Sequence, residues 1–143
     1  MEREIPEQIQ IDGLDDYLAA LAQMVFQSGF SAAVVQAKWE GISSAFENFD
    51  VRVVADYGPD QIDRLLADGT VIRNRRKIEA IVRNANRLLE IDDGQPFGQW
   101  LASFPTDEDR ERAVVNAFSF LGPAGAHEFC WVVGASRPER SCP

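Results

Sequence analysis

Apolar residues recur three and four positions apart through most of this chain, the spacing that lines one face of a helix of 3.6 residues per turn. The clearest case lies between Gly69 and Glu90, where Ile78, Ile81, Val82, Ala85, Leu88 and Leu89 form a single stripe. That stripe predicts a long helix with one face turned to a core. Leu14, Leu18, Leu21 and Val25, with Tyr17 and Met24 beside them, predict helix one from about Asp12 to Gln27. Ser28-Gly29 interrupts it, and Ser31 can cap a second helix whose buried stripe is Val35, Trp39, Ile42 and Phe46, with Phe49 closing its end.

Asp50 is placed to cap a short turn through Val51, Val53 and Val54. Gly58-Pro59-Asp60 opens another helix, with Pro in the first turn where its missing N–H costs nothing. Ile62, Leu65 and Leu66 face inward, and Gly69 is expected to end this helix in a left-handed conformation. Asp92-Asp93-Gly94 is expected to stop the long helix. Phe97, Trp100, Leu101 and Phe104 mark a short amphipathic piece before Pro105. Thr106 or Asp107 caps the next helix, whose apolar positions include Ala113, Val114, Ala117 and Phe118, and a last helix runs from Pro123 to Val133.

No segment alternates apolar and polar residues for long, and no Asn-Gly or Asp-Gly hairpin separates two β-branched runs. The expected fold is all-α: a compact helical bundle in one domain, 1–143, with a loose lead over 1–11 and a loose tail over 136–143.

Charge changes this picture in one place. The chain has 14 Lys and Arg against 23 Asp and Glu, a net charge of −9. Such a surface repels phosphates, so broad charge-driven binding to DNA or anionic membrane is excluded and any nucleic-acid contact must be local. Yet Arg73, Arg75, Arg76, Lys77, Arg83 and Arg87 face only Glu79 and Glu90 between residues 71 and 90. The basic entrance to the long helix is a candidate anion site, and a solvated helix face is the commoner meaning of such a run.

No apolar run approaches the roughly 20 residues that a membrane span needs. The acidic start MEREIPEQIQ lacks the pattern of a secretory signal, so the expected compartment is the cytoplasm. Cys130 and Cys142 are too few for a disulfide framework.

Candidate chemistry is sparse. The glycines of Phe120-Leu121-Gly122-Pro123-Ala124-Gly125, set between two helices, let the backbone approach a ligand, and amides at a helix start favour a phosphate. The alternative is an ordinary turn. His127 is the single histidine, and His127, Cys130 and Cys142 lack the spacing of a zinc site, so no metal or other cofactor is expected. No nucleophile elbow, P-loop or dinucleotide fingerprint is present. Paired carboxylates such as Asp15-Asp16 and Asp92-Asp93 read as solvated surface.

Taken together, these segments resemble the bacterial DNA-3-methyladenine glycosylase I family, which has the helix-hairpin-helix glycosylase fold. The resemblance rests on Phe26-Gln27-Ser28-Gly29-Phe30-Ser31, similar to the family's Q-[AS]-G-[LF]-S segment, and on Ala45-Phe46, Phe49-Asp50 and Leu65-Leu66. It peaks at Ile72-Arg73-Asn74-Arg75 with Lys77-Ile78 and Asn84-Ala85, and resumes at Phe97 and at Phe118-Ser119-Phe120-Leu121-Gly122-Pro123, similar to the F-x-F-[VL]-G-P hairpin. It extends over roughly residues 18 to 134. It implies an enzyme that grips duplex DNA by the hairpin, flips an alkylated purine into an aromatic pocket and lets water cleave the N-glycosidic bond. It assigns Met24, Gln27, Ser28, Phe30 and Ala32 to the base pocket, and Arg73, Asn74, Arg75, Lys77, Gly122, Pro123 and Gly125 to the DNA contact.

Several family positions are filled differently. Where the family has a base-reading Glu this chain has Met24, and where it has a stacking Trp this chain has Ala32. Residues 1–13 do not match the family's N-terminal segment, which brings a Cys, a His and pocket aromatics. Glu139 is nearest the position of the closing His, and Cys142 does not fall at the matching spacing, so no zinc clasp is expected. Trp39, Trp131, Phe26 and Tyr17 either supply replacement aromatic surface or belong to the core. Three readings follow, in this order: a divergent glycosylase, a lesion-binding module without activity, and a protein-interaction scaffold.

Overall fold

The structure, a computed structural model, describes residues 7–135, and every element found among them is helical. The helices are α1 (Leu14–Gln27), α2 (Ala32–Ala45), α3 (Val51–Ala55), α4 (Pro59–Leu66), α5 (Arg75–Gly94), α6 (Phe97–Ala102), α7 (Asp107–Ala117) and α8 (Pro123–Val132). The 20-residue α5 runs through the middle, packed against α1 and α3 along its length and against α4 and α6 at its ends. The expected stripe explains this position: Ile78, Ile81, Ala85 and Leu88 are fully buried, and Val82 and Leu89 pack at the margin of the core.

The caps are largely those the sequence predicts. The Ser31 hydroxyl accepts the Val34 amide, Asp50 accepts the amides of Arg52 and Val53, and Thr106 rather than Asp107 accepts the amide of Asp109. Pro59 and Pro123 each stand in a first helical turn, where no intrahelical partner for an N–H is lost.

Three expectations are corrected. Gly69 is not left-handed, since the glycines with positive φ among the described residues are Gly29 and Gly134. Instead the Asp68 carboxylate accepts both the amide and the hydroxyl of Thr70, at 2.9 and 2.6 Å, and this side-chain turn redirects the chain. Asp92-Asp93-Gly94 does not stop α5, which continues through all three. Pro96 lies beyond it, and Asp92 is used to accept the Phe97 amide and tie α5 to α6. The lead is not loose throughout: the Ile9 amide donates to the Val132 carbonyl at 2.9 Å, and the Gln8 side-chain amide donates to the Trp131 carbonyl. The tail from 136 onward, with Glu139 and Cys142, lies outside the described residues.

One turn had no signal in the sequence. Glu47, Asn48 and Phe49 all have φ near +55°, a left-handed run that costs roughly 1–2 kcal/mol for each non-glycine residue. The run drives Phe49 into the core, where its ring stacks on Phe46 at 5.1 Å and on Trp39 at 5.2 Å. Burial of an aromatic side chain, worth roughly 1.5–3 kcal/mol, offsets much of that strain. The core is closed on its other side by Tyr17, Phe97, Trp100 and Phe118, whose rings meet edge-on or stacked.

Candidate functional site

The N-terminal half of α5 joins two distant turns. One is the α1–α2 turn, Gln27 to Ser31, and the other is the hairpin between α7 and α8, Phe118 to Gly122. Asn84, buried in α5, donates from its amide nitrogen to the Ser119 carbonyl and accepts the Ser119 amide at 2.7 Å. Arg83 adds a bond to the Ser119 hydroxyl. On the other flank the Lys77 ammonium donates to the carbonyls of Phe26 and Ser28, at 2.9 and 2.7 Å.

These ties leave two aromatic rings standing at the surface. Phe30 is 47% exposed, with the Lys77 ammonium 5.5 Å from its ring centre. Phe120 is 37% exposed, with the Arg76 guanidinium 6.0 Å from its ring centre. Phe120 has φ +60°, so the hairpin holds it in a left-handed conformation rarely adopted by a bulky side chain. Successive residues of one helical turn therefore each lay a cation against an exposed phenylalanine, one in each turn.

The basic stretch separates into occupied and open cations. Arg75 is ion-paired to Asp63 at 2.8 Å and to Glu79 at 3.6 Å, and these carboxylates raise its pKa. Lys77 is 5% exposed, and burial lowers its pKa. Expected among the DNA-contacting residues, it donates to the backbone carbonyls of Phe26 and Ser28. Asn74 acts as the N-cap of α5, accepting the Lys77 amide, which satisfies one of the orphan donors at the helix start. Among the described residues, Arg73 and Arg76 have no carboxylate at ion-pairing distance. Arg76 and Phe120 belong to the basic run and the hairpin singled out in the sequence, but the resemblance assigns neither of them to the base pocket or the DNA contact. Their signal was weak: Arg76 is one more basic residue in a basic run, and Phe120 is one apolar residue in an apolar hairpin.

The hairpin's glycines open its backbone. Gly122 is the N-cap of α8 and supplies no side-chain cap, and a Cβ there would meet nothing within 4 Å. The start of α8 thus presents bare amides to solvent, an arrangement suited to an anion. Gly125 lies deeper: a Cβ there would approach Leu121 at 3.5 Å and Met24 Cβ at 3.9 Å. Met24 itself is 5% exposed and faces the beginning of α8 from α1. Of the other expected pocket residues, Gln27 is half-buried and accepts the Phe30 amide through its carbonyl, while Ser28 and Ala32 are exposed. Phe30 therefore stands on the outer surface, with Met24 buried between α1 and α8.

The remaining candidates stay apart. His127 is exposed, 2.8 Å from Glu111, and Cys130 is fully buried, its thiol pushed up to about 12, chiefly by burial. Phe26 is core, and Tyr17, Trp39 and Trp131 pack on the core margin. No described helix is long and apolar enough to cross a membrane.

Residues 15–122 match the model of the methyladenine glycosylase family. DNA-3-methyladenine glycosylase 1 of Escherichia coli (strain K12) is 37% identical over 79 residues, an alignment covering 54% of this chain and 42% of that protein. DNA-3-methyladenine glycosylase of Haemophilus influenzae is 35% identical over 130 residues, covering 76% of this chain and 70% of that one. The fold is shared with a glutamate-to-glutamine variant of 3-methyladenine DNA glycosylase I from Staphylococcus aureus. That match has a TM-score of 0.79 at 22% identity, over 96% of this chain and 86% of the other.

Proposed function

The chain belongs to the methyladenine glycosylase family, and from that premise we propose that it acts in base-excision repair, hydrolysing the N-glycosidic bond of an alkylated purine in DNA. DNA is its partner, met locally, and the cytoplasm is its place of work. What supports the reading is the surface around the start of α5. Two exposed phenylalanines and the bare amides of α8 lie at turns that α5 ties together, and two open arginines stand at the entrance of α5 itself.

Each part has a physical role in this reaction. Arg73, Arg76 and the α8 amides neutralise a few phosphates, which is all that a surface of net charge −9 can offer a polyanion. Phe30 supplies a stacking face for a base beside an opened step, an interaction worth roughly 1–3 kcal/mol. An alkylated adenine carries positive charge and leaves readily, so water attack at the sugar needs little help from a protein acid. Met24 stands where the family's glutamate would accept a hydrogen bond from that base, and a thioether is only a weak acceptor. Base selection here therefore rests on shape and stacking, with no carboxylate from position 24.

A second reading has its own observation. Met24 is buried against α8, which favours a module that recognises a lesion without cleaving it. Mass spectrometry of bases released from methylated duplex DNA separates the two. Release of an alkylated purine above the spontaneous rate is the expected result. No release, with affinity for the damaged duplex intact, establishes the second reading. A Met24→Glu, Ala32→Trp double variant serves as the gain-of-function control.

A further inference from the structure

We propose that Lys77 is a positioning residue: its ammonium fixes the α1–α2 turn and sets the Phe30 ring in its outward stacking position, so that α5 controls the aromatic contact with DNA. The proposal rests on the DNA reading above and adds to it the residue that orients the contact.

Lys77 is one of the few charged side chains withdrawn from solvent, at 5% exposure, and it is withdrawn into a turn made by residues about fifty positions away. Two of its three N–H donors are spent on the carbonyls of Phe26 and Ser28. Phe26 lies in the last turn of α1, where carbonyls lack intrahelical partners and the helix dipole favours a cation. The Ser28 amide bonds to the Met24 and Val25 carbonyls at this end, and the Lys77 ammonium adds the positive charge that the last turn of α1, which has no basic residue, does not carry itself.

The next two residues complete the arrangement. Gly29 has φ +65°, which turns the chain back sharply, and a Cβ there would meet nothing within 4 Å, so its role is conformational. Phe30 follows, its amide bonded to the Gln27 carbonyl and its ring beside the same ammonium at 5.5 Å. One cation therefore engages three successive features of the turn: the end of α1, the residue before the glycine, and the ring beyond it. Loss of the charge frees two carbonyls and removes the attraction that orients the ring. A lysine that served only to bind phosphate would be exposed.

The test places a reporter at the ring. In a Phe30→Trp background, Lys77→Met keeps the apolar stem and removes the charge. Lys77→Gln, which keeps one amide donor, is measured alongside and carries the comparison where Lys77→Met does not fold. Without DNA, the indole emission is expected to shift to the red and its anisotropy to fall in either variant, while Lys77→Arg stays close to the parent. Unchanged emission in a folded variant overturns the proposal. With a duplex containing an abasic-site analogue, Lys77→Met and Phe30→Ala are each expected to weaken binding about tenfold, within the range for one lost stacking partner. Their combination should be no worse than either alone. Additive losses mean that Lys77 does not act through Phe30, and they overturn it too. If the unaltered protein has no affinity for that duplex, the DNA reading fails, and the emission experiment still decides whether Lys77 orients the ring.

Discussion

Phe30 and Phe120 occupy comparable positions beside α5 but differ in how they are held. Phe30 follows a glycine that takes the left-handed conformation for it, whereas Phe120 takes that conformation itself. Phe30→Ala is expected to lower DNA affinity by about 1–3 kcal/mol while leaving the unfolding midpoint nearly unchanged, because the ring is half exposed. Parallel binding and thermal-melt measurements check this. The arginines divide in the same way. Arg76→Ala should weaken binding and reduce the salt slope by about one, and Arg75→Ala should do so less, because Asp63 and Glu79 already compensate that charge. Equal effects in a salt titration would show that the ion pairs of Arg75 open on DNA.

At the scale of elements, α5 is the common partner. Asn84 holds the hairpin through two bonds to Ser119, and Asn86 reaches the Ala55 carbonyl at the end of α3. Asn84→Ala leaves the part-buried backbone amide and carbonyl of Ser119 without their partner on α5, at a cost of about 1–3 kcal/mol. Chemical denaturation should register that loss, and hydrogen exchange should show the Ser119 amide opening while the centre of α5 stays protected. The same scale shows what a linear pattern conveys. The stripe from Ile78 to Leu89, the Ser31 and Asp50 caps and the prolines of α4 and α8 are local rules, and the helices follow them. Lys77 obeys a rule of a different kind. In the sequence it is one basic residue in a run, and its burial depends on carbonyls of Phe26 and Ser28 that only the packed α1 and α5 bring to it.

The whole molecule also has a defined alkaline weakness. The Cys130 thiol, at about 12 in the fold against an ordinary value of 9.0, keeps its proton over a range where the unfolded chain has lost it. The folded state then binds more protons than the unfolded one, so stability is full below about pH 9 and falls as pH rises towards 12. Tyr57, raised by burial and by Glu47, and Tyr17, raised by burial, act in the same direction. Lys77, lowered by burial, acts in the opposite one. Denaturant melts from pH 8 to 11 should show a progressive loss, and Cys130→Ala should flatten it by up to about 1.4 kcal/mol per pH unit, the slope of one proton. A stability independent of pH over that range would contradict the buried thiol.

The sequence by itself determined the helices, most of their caps, the core stripes and the family, because each of these is written in residues close together or in motifs that keep their order along the chain. It also marked the region on which the proposed DNA contact rests, since the basic entrance to α5, the Gln27–Ser31 segment and the hairpin are all distinctive locally. Which cations remain open, which are consumed, and which rings face outward were decided only by the tertiary structure. Those properties depend on the neighbours a side chain meets across the bundle. Arg75 meets Asp63, Lys77 meets two carbonyls and Phe30, and Arg76 meets Phe120, and no spacing along the chain distinguishes these three adjacent residues.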